Sequence, residues 1–352
     1  MPKFLWKHII EYMSYPAILK IEKIDSSFSD LVDEDVGKSN FLEHRTNAIV
    51  VVRCMSRRMD HFWKYASEEY VECDSIHSML RFIENDNRYD TSISYYKVFI
   101  KAGEYLCNNH NYVFNQTPYN IEINGSKSGS TIIKHSGDEN EYKPLYTLSF
   151  VISKYFSMNH IKLYNVSCRF KKYRIDPCHN LTDDDLIKIY SYSELYIHNC
   201  VFATSYADLA IYSTNKSIIS NCTFASRLRI YDLDEYRSSK NLKLKANRVG
   251  LNIDITCDIR YSTFSSEDNN CVEIYSEIPC TINFNNNIVL RSTNLFHNQS
   301  CTMSDCVTIF VSENNHFDTV TSLYNKTCNN IVIDNTNTFI NCGEQLMNQI
   351  KN

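Results

Sequence analysis

Residues 195–202 read Leu195-Tyr196-Ile197-His198-Asn199-Cys200-Val201-Phe202, and residues 219–224 read Ile219-Ser220-Asn221-Cys222-Thr223-Phe224. Both carry a short apolar strand pattern, then an Asn, then a Phe three positions later. Alternation of apolar and polar residues is the period of a half-buried strand. Asn is, after Gly, the residue that most readily takes left-handed backbone angles. A strand that ends on Asn therefore reads as a strand followed by a corner. Looser copies are Ile161-Lys162-Leu163-Tyr164-Asn165 with Phe170, Val311 with Asn314-Asn315-His316-Phe317, and Ile331-Val332-Ile333-Asp334-Asn335 with Phe339. Asn199 and Asn221 are about 22 residues apart, the spacing of a solenoid whose coils are too small to bury themselves and must stack. Stacking predicts a ladder of Asn amides at one corner and a pile of Phe rings inside. Roughly 250 residues allow about nine to eleven coils, a rod about 45–50 Å long at the usual strand spacing.

Composition agrees. The chain has 352 residues but only 7 glycines, so another residue must take the tight corners, and asparagine crowds the C-terminal two-thirds. An AT-rich coding sequence would also enrich Asn, Ile, Lys and Tyr. The apolar fraction is 43% and the net charge −5, ordinary for a globular protein and against a general nucleic-acid binder. No run of 18 apolar residues marks a membrane span, and the N-terminus carries no secretory pattern. The 14 cysteines include no CxxC pair, so neither disulfides nor zinc is expected. Asn199-Cys200, Asn221-Cys222, Asn270-Cys271 and Asn341-Cys342 read as small buried residues in equivalent places. The N-x-S/T sequons, such as Asn115 and Asn298, are expected to stay unmodified.

The first forty residues follow a different period. Leu5, Trp6, Ile9, Ile10 and Met13 recur at helical steps, with Pro2 ahead of them and Pro16 behind, which predicts an amphipathic helix. Ile18, Leu19, Ile21 and Ile24 mark a second helix. Asp25-Ser26-Ser27 caps a third, which carries Phe28, Leu31 and Val32. This succession resembles an F-box, with Met1-Pro2 where Leu-Pro is usual, Asp25 where many members have Cys or Ser, and Phe41 in place of a Trp. The resemblance implies a docking module for the linker subunit of an SCF-type cullin-RING ubiquitin ligase, with Pro2, Leu5, Ile9, Ile10, Met13, Ile18 and Leu19 as the contacts. Residues 43–69 are expected to be a helical connector. Within them Ala48–Val52 is apolar enough to be buried, and Arg53, Arg57, Arg58 and Lys64 form a solvated face.

Residues 75–83 read as a short amphipathic helix. Tyr96–Tyr105, Ile121–Ser126 and Ser130–Ile133 follow, with Gly103 and Gly125 at matching places. This order is similar to the entry of right-handed parallel β-helices of the pectin-lyase-like type, with Ala102 where Pro is usual. The resemblance implies such a domain over residues 70–345, its first helix capping the open end, and leaves 346–352 as a tail. The expected fold class is therefore mainly β, a parallel β-helix behind a small helical domain.

Many β-helix proteins act on polysaccharides. Polygalacturonase-like members resemble one another in an Asn-x-Asp, Asp-Asp and Gly-His-Gly set with aspartates as acid and base, and this order is missing here. Asp183-Asp184-Asp185 reads as a solvated run. Asp254, Asp258 and Arg260 share strand parity and read as an outer-face charge group rather than a calcium site. No catalytic residue, cofactor or metal is expected. Recognition is the other use of a rod. Lys162, Tyr164, Tyr196 and His198 fall at outward positions and are the candidate substrate contacts, suited to protein or glycan. Together the two resemblances imply a non-enzymatic substrate receptor of a ubiquitin ligase, binding an unknown protein or glycan and acting in the cytoplasm or nucleus. The resemblance, taken with the AT-rich composition, implies a large DNA virus acting on a host ligase. The alternatives are a carbohydrate-active or carbohydrate-binding β-helix and a purely structural scaffold.

Overall fold

The computed structural model describes residues 48–54, 70–85, 95–107, 112–113, 119–127, 129–135, 146–172, 193–203, 209–212, 215–225, 227–231, 255–265, 270–275, 280–298, 307–324 and 330–351. The expected F-box helices and their docking residues Pro2, Leu5, Ile9, Ile10, Met13, Ile18 and Leu19 lie outside these residues. So do Arg57, Arg58, Lys64, Asp183–Asp185 and Asp254.

The described chain is mainly β, and its strands pair in parallel in three columns, an arrangement consistent with a solenoid. The first column runs through Tyr95–Ile100, Tyr119–Asn124, 155–159, Glu194–His198, Lys216–Ser220, Ile255–Arg260, Cys280–Asn285, Val307–Ser312 and Asn330–Ile333, nine levels in all. The second column runs beside it from Gly103–Cys107 to Thr338–Ile340. A third column, one level shorter, runs from Tyr112–Val113 through 146–152, Val166–Lys172, Leu209–Tyr212, Leu228–Tyr231 and Asn270–Tyr275 into 294–298 and 320–324. Eight steps at the usual strand spacing make a stack of about 38 Å.

The motif repeated at Leu195–Phe202 and Ile219–Phe224 folds as a strand–corner–strand unit. In Glu194–His198 the inward Leu195 and Ile197 are buried, while Tyr196 and His198 face outward and are half-buried. Asn199 then turns the chain at φ 52°, and Cys200 and Phe202 point back into the core. All eleven described non-glycine residues with positive φ sit at two corner columns. His160, Asn199, Asn221, Tyr261, Asn286, Glu313 and Asn314 lie between the first and second columns, Asn165, Arg291 and Thr319 between the second and third, and Asn341 at the same corner after the last second-column strand. Asn takes six of the eleven places, as the shortage of glycine predicts. At the first corner, the level below His160 is Gly125, where a Cβ would come within 2.2 Å of the His160 carbonyl oxygen. Only glycine fits there.

Side chains stack along the core as expected. Phe202, Phe224 and Phe264 lie nearly parallel, with centroids 4.9 and 4.8 Å apart, and Phe317 stacks on Phe339 at 5.0 Å. The asparagine ladder exists too, in two forms. At the outer corner Asn221 donates to Asn199, and Asn314 Nδ2 lies 3.5 Å from Asn286 Oδ1. Tyr261 interrupts this run. One residue past the corner, Asn287, Asn315 and Asn337 form an inner ladder. Asn315 Oδ1 accepts from the Asn287 backbone N–H at 2.8 Å, and Asn337 Oδ1 accepts from that of Asn315 at 3.0 Å. Asn287 and Asn315 are fully buried. A buried amide is tolerated there because each one satisfies the backbone of its neighbour.

The ends differ. At the near end, strand β1 (Ile49–Cys54) pairs antiparallel with β2 (Tyr70–Cys73) on one side and with Tyr95–Ile100 on the other. Helix α1 (Ile76–Asn85) buries Ile76, Met79, Leu80 and Ile83 against this end. Ser75 caps it, its Oγ accepting from the Ser78 N–H at 3.1 Å. The cap helix thus stands where the sequence placed it. The connector expected to be helical over 43–69 contains a strand instead, because the run Ile49-Val50-Val51-Val52 is β-branched throughout and buried on both faces. The tail expected at 346–352 is also corrected. Glu344–Lys351 is a helix, α2, whose Leu346 is fully buried. It packs on the end of the third column, where a ninth strand would lie.

Candidate functional site

The outward positions of the first column carry aromatic, histidine and charged side chains. Tyr155 packs against Tyr196 one level on, centroids 5.4 Å apart. The Tyr196 hydroxyl donates to Glu194 Oε2 at 2.9 Å, and the ring lies 6.1 Å from His198. His198 Nδ1 is hydrogen-bonded to the Ser220 hydroxyl. Burial first, then the charges of Arg260 and His160, hold the His198 imidazole below its usual pKa, so it is neutral at neutral pH. Lys216 and Ile218 occupy the next level, then Asp258 and Arg260, and Asn283 donates to Asp258. The strands below this face are in register, and neighbouring levels half-bury Tyr196, His198 and Asp258, while Arg260 is exposed.

The four sequence-predicted contacts do not form one patch. Tyr196 and His198 share the first column, and Lys162 and Tyr164 stand on the second, across the His160/Asn199 corner. Tyr164 is exposed, and Lys162 Nζ donates to Ser130 Oγ at 2.9 Å. Asp258 and Arg260 do share an outer face, as their parity predicts.

A second feature escaped the sequence reading. On the third column Tyr212, Tyr231 and Tyr275 stack with centroids 4.4 and 4.6 Å apart. Beside them Glu273 is buried and paired with Arg229 Nε at 3.1 Å and Arg227 Nη1 at 3.4 Å. Asn270 Nδ2 and the Tyr275 hydroxyl also donate to it. Burial pulls the Glu273 pKa up, but the two arginines and these hydrogen bonds outweigh it and hold the carboxyl below its usual range. The signal was present as a threefold apolar-x-Ile-Tyr at Leu209–Tyr212, Leu228–Tyr231 and Val272–Tyr275. A carboxylate so fully engaged orders the outer surface rather than performing acid–base work.

The described cysteines carry no disulfide, and eight of them are buried. Burial drives the thiols of Cys168, Cys200 and Cys257 far above their ordinary pKa, so they behave as small apolar residues. Cys200 and Cys222 occupy equivalent places beyond the first corner, Cys342 follows the second, and Cys271 lies on the third column. Among the described residues no group of three or more His, Cys, Asp or Glu converges as metal ligands, and no helix is long and apolar enough to cross a membrane. No family model, no curated protein and no solved structure matches the chain.

Proposed function

We propose that this chain is a substrate receptor of an SCF-type cullin-RING ubiquitin ligase. In this reading the stacked coils form a right-handed parallel β-helix, the hand that parallel crossover connections almost always take. Its first-column outer face grips a target. The segment 1–42 docks on the linker subunit through Pro2, Leu5, Ile9, Ile10, Met13, Ile18 and Leu19. The protein supplies proximity rather than catalytic groups.

The observation that supports the receptor half is the row of half-buried Tyr196 and His198 beside Glu194, Asp258 and Arg260 on one regular surface. Preorganised aromatic and arginine side chains lose little entropy on contact, which is why such residues dominate recognition surfaces. The ligase half rests on the resemblance of residues 1–42 to an F-box.

The test is affinity capture of the full chain from cell extract, compared with the double variant Leu5→Asp, Ile9→Asp. Loss of the cullin-ligase subunits from the variant is expected. Equal recovery with both forms refutes the ligase half.

A further inference from the structure

We propose that the far end of the stack is a self-association surface, on which a second copy of this chain docks tail to tail. The inference depends on the coil reading but not on the ligase reading.

Among the described residues the core is closed at one end and open at the other. Beneath β1 and α1 the first-level residues Val98 and Ile100 are fully buried. At the last level Ile331, Ile333 and Phe339 occupy the same kind of inward position yet are only partly buried, although Ile309, Val311 and Phe317 one level back are buried completely. Among the described residues helix α2 packs on the third column, and none is seen to cover the first two. Around this end Val332 is 56% exposed, Ile340 42% and Met347 38%, with Phe310 beside Val332.

A strand is the cover that would satisfy the backbone groups of this end as well as its apolar residues. Asn330–Ile333 and Thr338–Ile340 each pair on one side only among the described residues, so they present edge hydrogen-bonding groups. Edge strands of monomers are usually blunted by charge, proline or a bulge. Neither of these strands contains a charged residue or a proline.

The last first-column strand meets its own requirements. A strand added beyond it needs apolar residues over Ile331 and Ile333 and an uncharged residue beside Val332. The sequence Ile331-Val332-Ile333 provides all three. A two-fold axis through Val332 sets Ile331 against Ile333 of the partner subunit, inward against inward, and the two copies of residue 332 against each other, outward against outward. A one-residue slip would oppose inward and outward side chains, so the register is specified. The same rotation brings the second column of one copy toward the third column of the other. There the exposed Met347 on α2 can cover the exposed Ile340 edge. This is a closed, isologous contact.

The test uses the full chain in analytical ultracentrifugation over a concentration series. The wild type is expected to dimerise. Val332→Lys and Val332→Glu change an exposed side chain, and unchanged far-UV circular dichroism will show that each still folds. Each places like charges face to face on the axis and is expected to weaken dimerisation at least about ten-fold. Mixing the two variants is expected to restore a heterodimer, because residue 332 meets only itself across the axis. A monomeric wild type at every concentration, an undiminished dimer of Val332→Lys, or a mixture that stays monomeric overturns the proposal. The Leu5→Asp, Ile9→Asp variant is expected to dimerise like the wild type, which separates this contact from the ligase reading.

Discussion

Replacing Asn315 with alanine tests whether the inner amide ladder holds the far levels together. Asn315 is fully buried. Its Nδ2 group donates to the Phe284 carbonyl at 2.9 Å, the Ser312 carbonyl at 2.8 Å and Asn337 Oδ1 at 2.8 Å. Its Oδ1 accepts from the backbone and side chain of Asn287. Alanine removes these bonds and leaves the Asn287 N–H without its acceptor. A typical net hydrogen bond contributes about 1 kcal/mol, and an orphaned buried donor costs roughly 1–3 kcal/mol. The expected loss is therefore roughly 3–5 kcal/mol, a large share of a domain stability of about 5–15 kcal/mol. Asn335→Ala is the control, at an exposed turn residue, and should change stability by less than about 0.5 kcal/mol. Urea unfolding followed by far-UV circular dichroism reads both, as a shift of midpoint at constant slope. A loss below about 1 kcal/mol for Asn315→Ala, or equal losses for the two variants, would refute the assignment of the ladder as a structural strut.

Two further substitutions probe other parts of the fold. Tyr261 is 61% exposed, holds φ 53° and breaks the outer amide run between Asn221 and Asn286, so Tyr261→Asn is expected to stabilise by about 1 kcal/mol in the same urea assay. An unchanged or lower midpoint would show that the corner strain is not released. Glu273 has a depressed carboxyl pKa, so it contributes stability above the ordinary carboxylate range and loses it as pH falls through its lowered folded value. Glu273→Gln is therefore expected to cost about 1–3 kcal/mol at neutral pH and to converge with the wild type in strong acid. A cost that does not shrink with acidification would argue against the ion pair with Arg227 and Arg229.

Much of the stacked strand pattern was legible because its unit is local. In Leu195–Phe202 the alternation, the left-handed Asn and the inward Phe are all set within eight neighbouring residues, and the structure keeps each role. What escaped was longer-range or masked by the same letters. The corner Asn is marked by its place at the strand end, while the buried amides of Asn287 and Asn315 sit one position later, where sequence alone reads only another polar residue. Helix α2 was missed because eight residues with one buried leucine give little periodicity. The candidate contacts were half legible. Outward parity was right for Tyr196 and His198 and for Lys162 and Tyr164, but the turn at His160 and Asn199 sends the two pairs to different faces.

Strand, corner and inward side chain depend on backbone angles and alternation, so contiguous residues decided them. Which residues became neighbours was decided only by the folded stack. The offset between stacked residues runs 22, 40, 25 and 28 along the chain. Such variable offsets hide Tyr212, Tyr231 and Tyr275, or Arg229 and Glu273, from any fixed period. Cross-strand hydrogen bonding and burial of the Phe pile choose the register, and those energies exist only between levels already brought together.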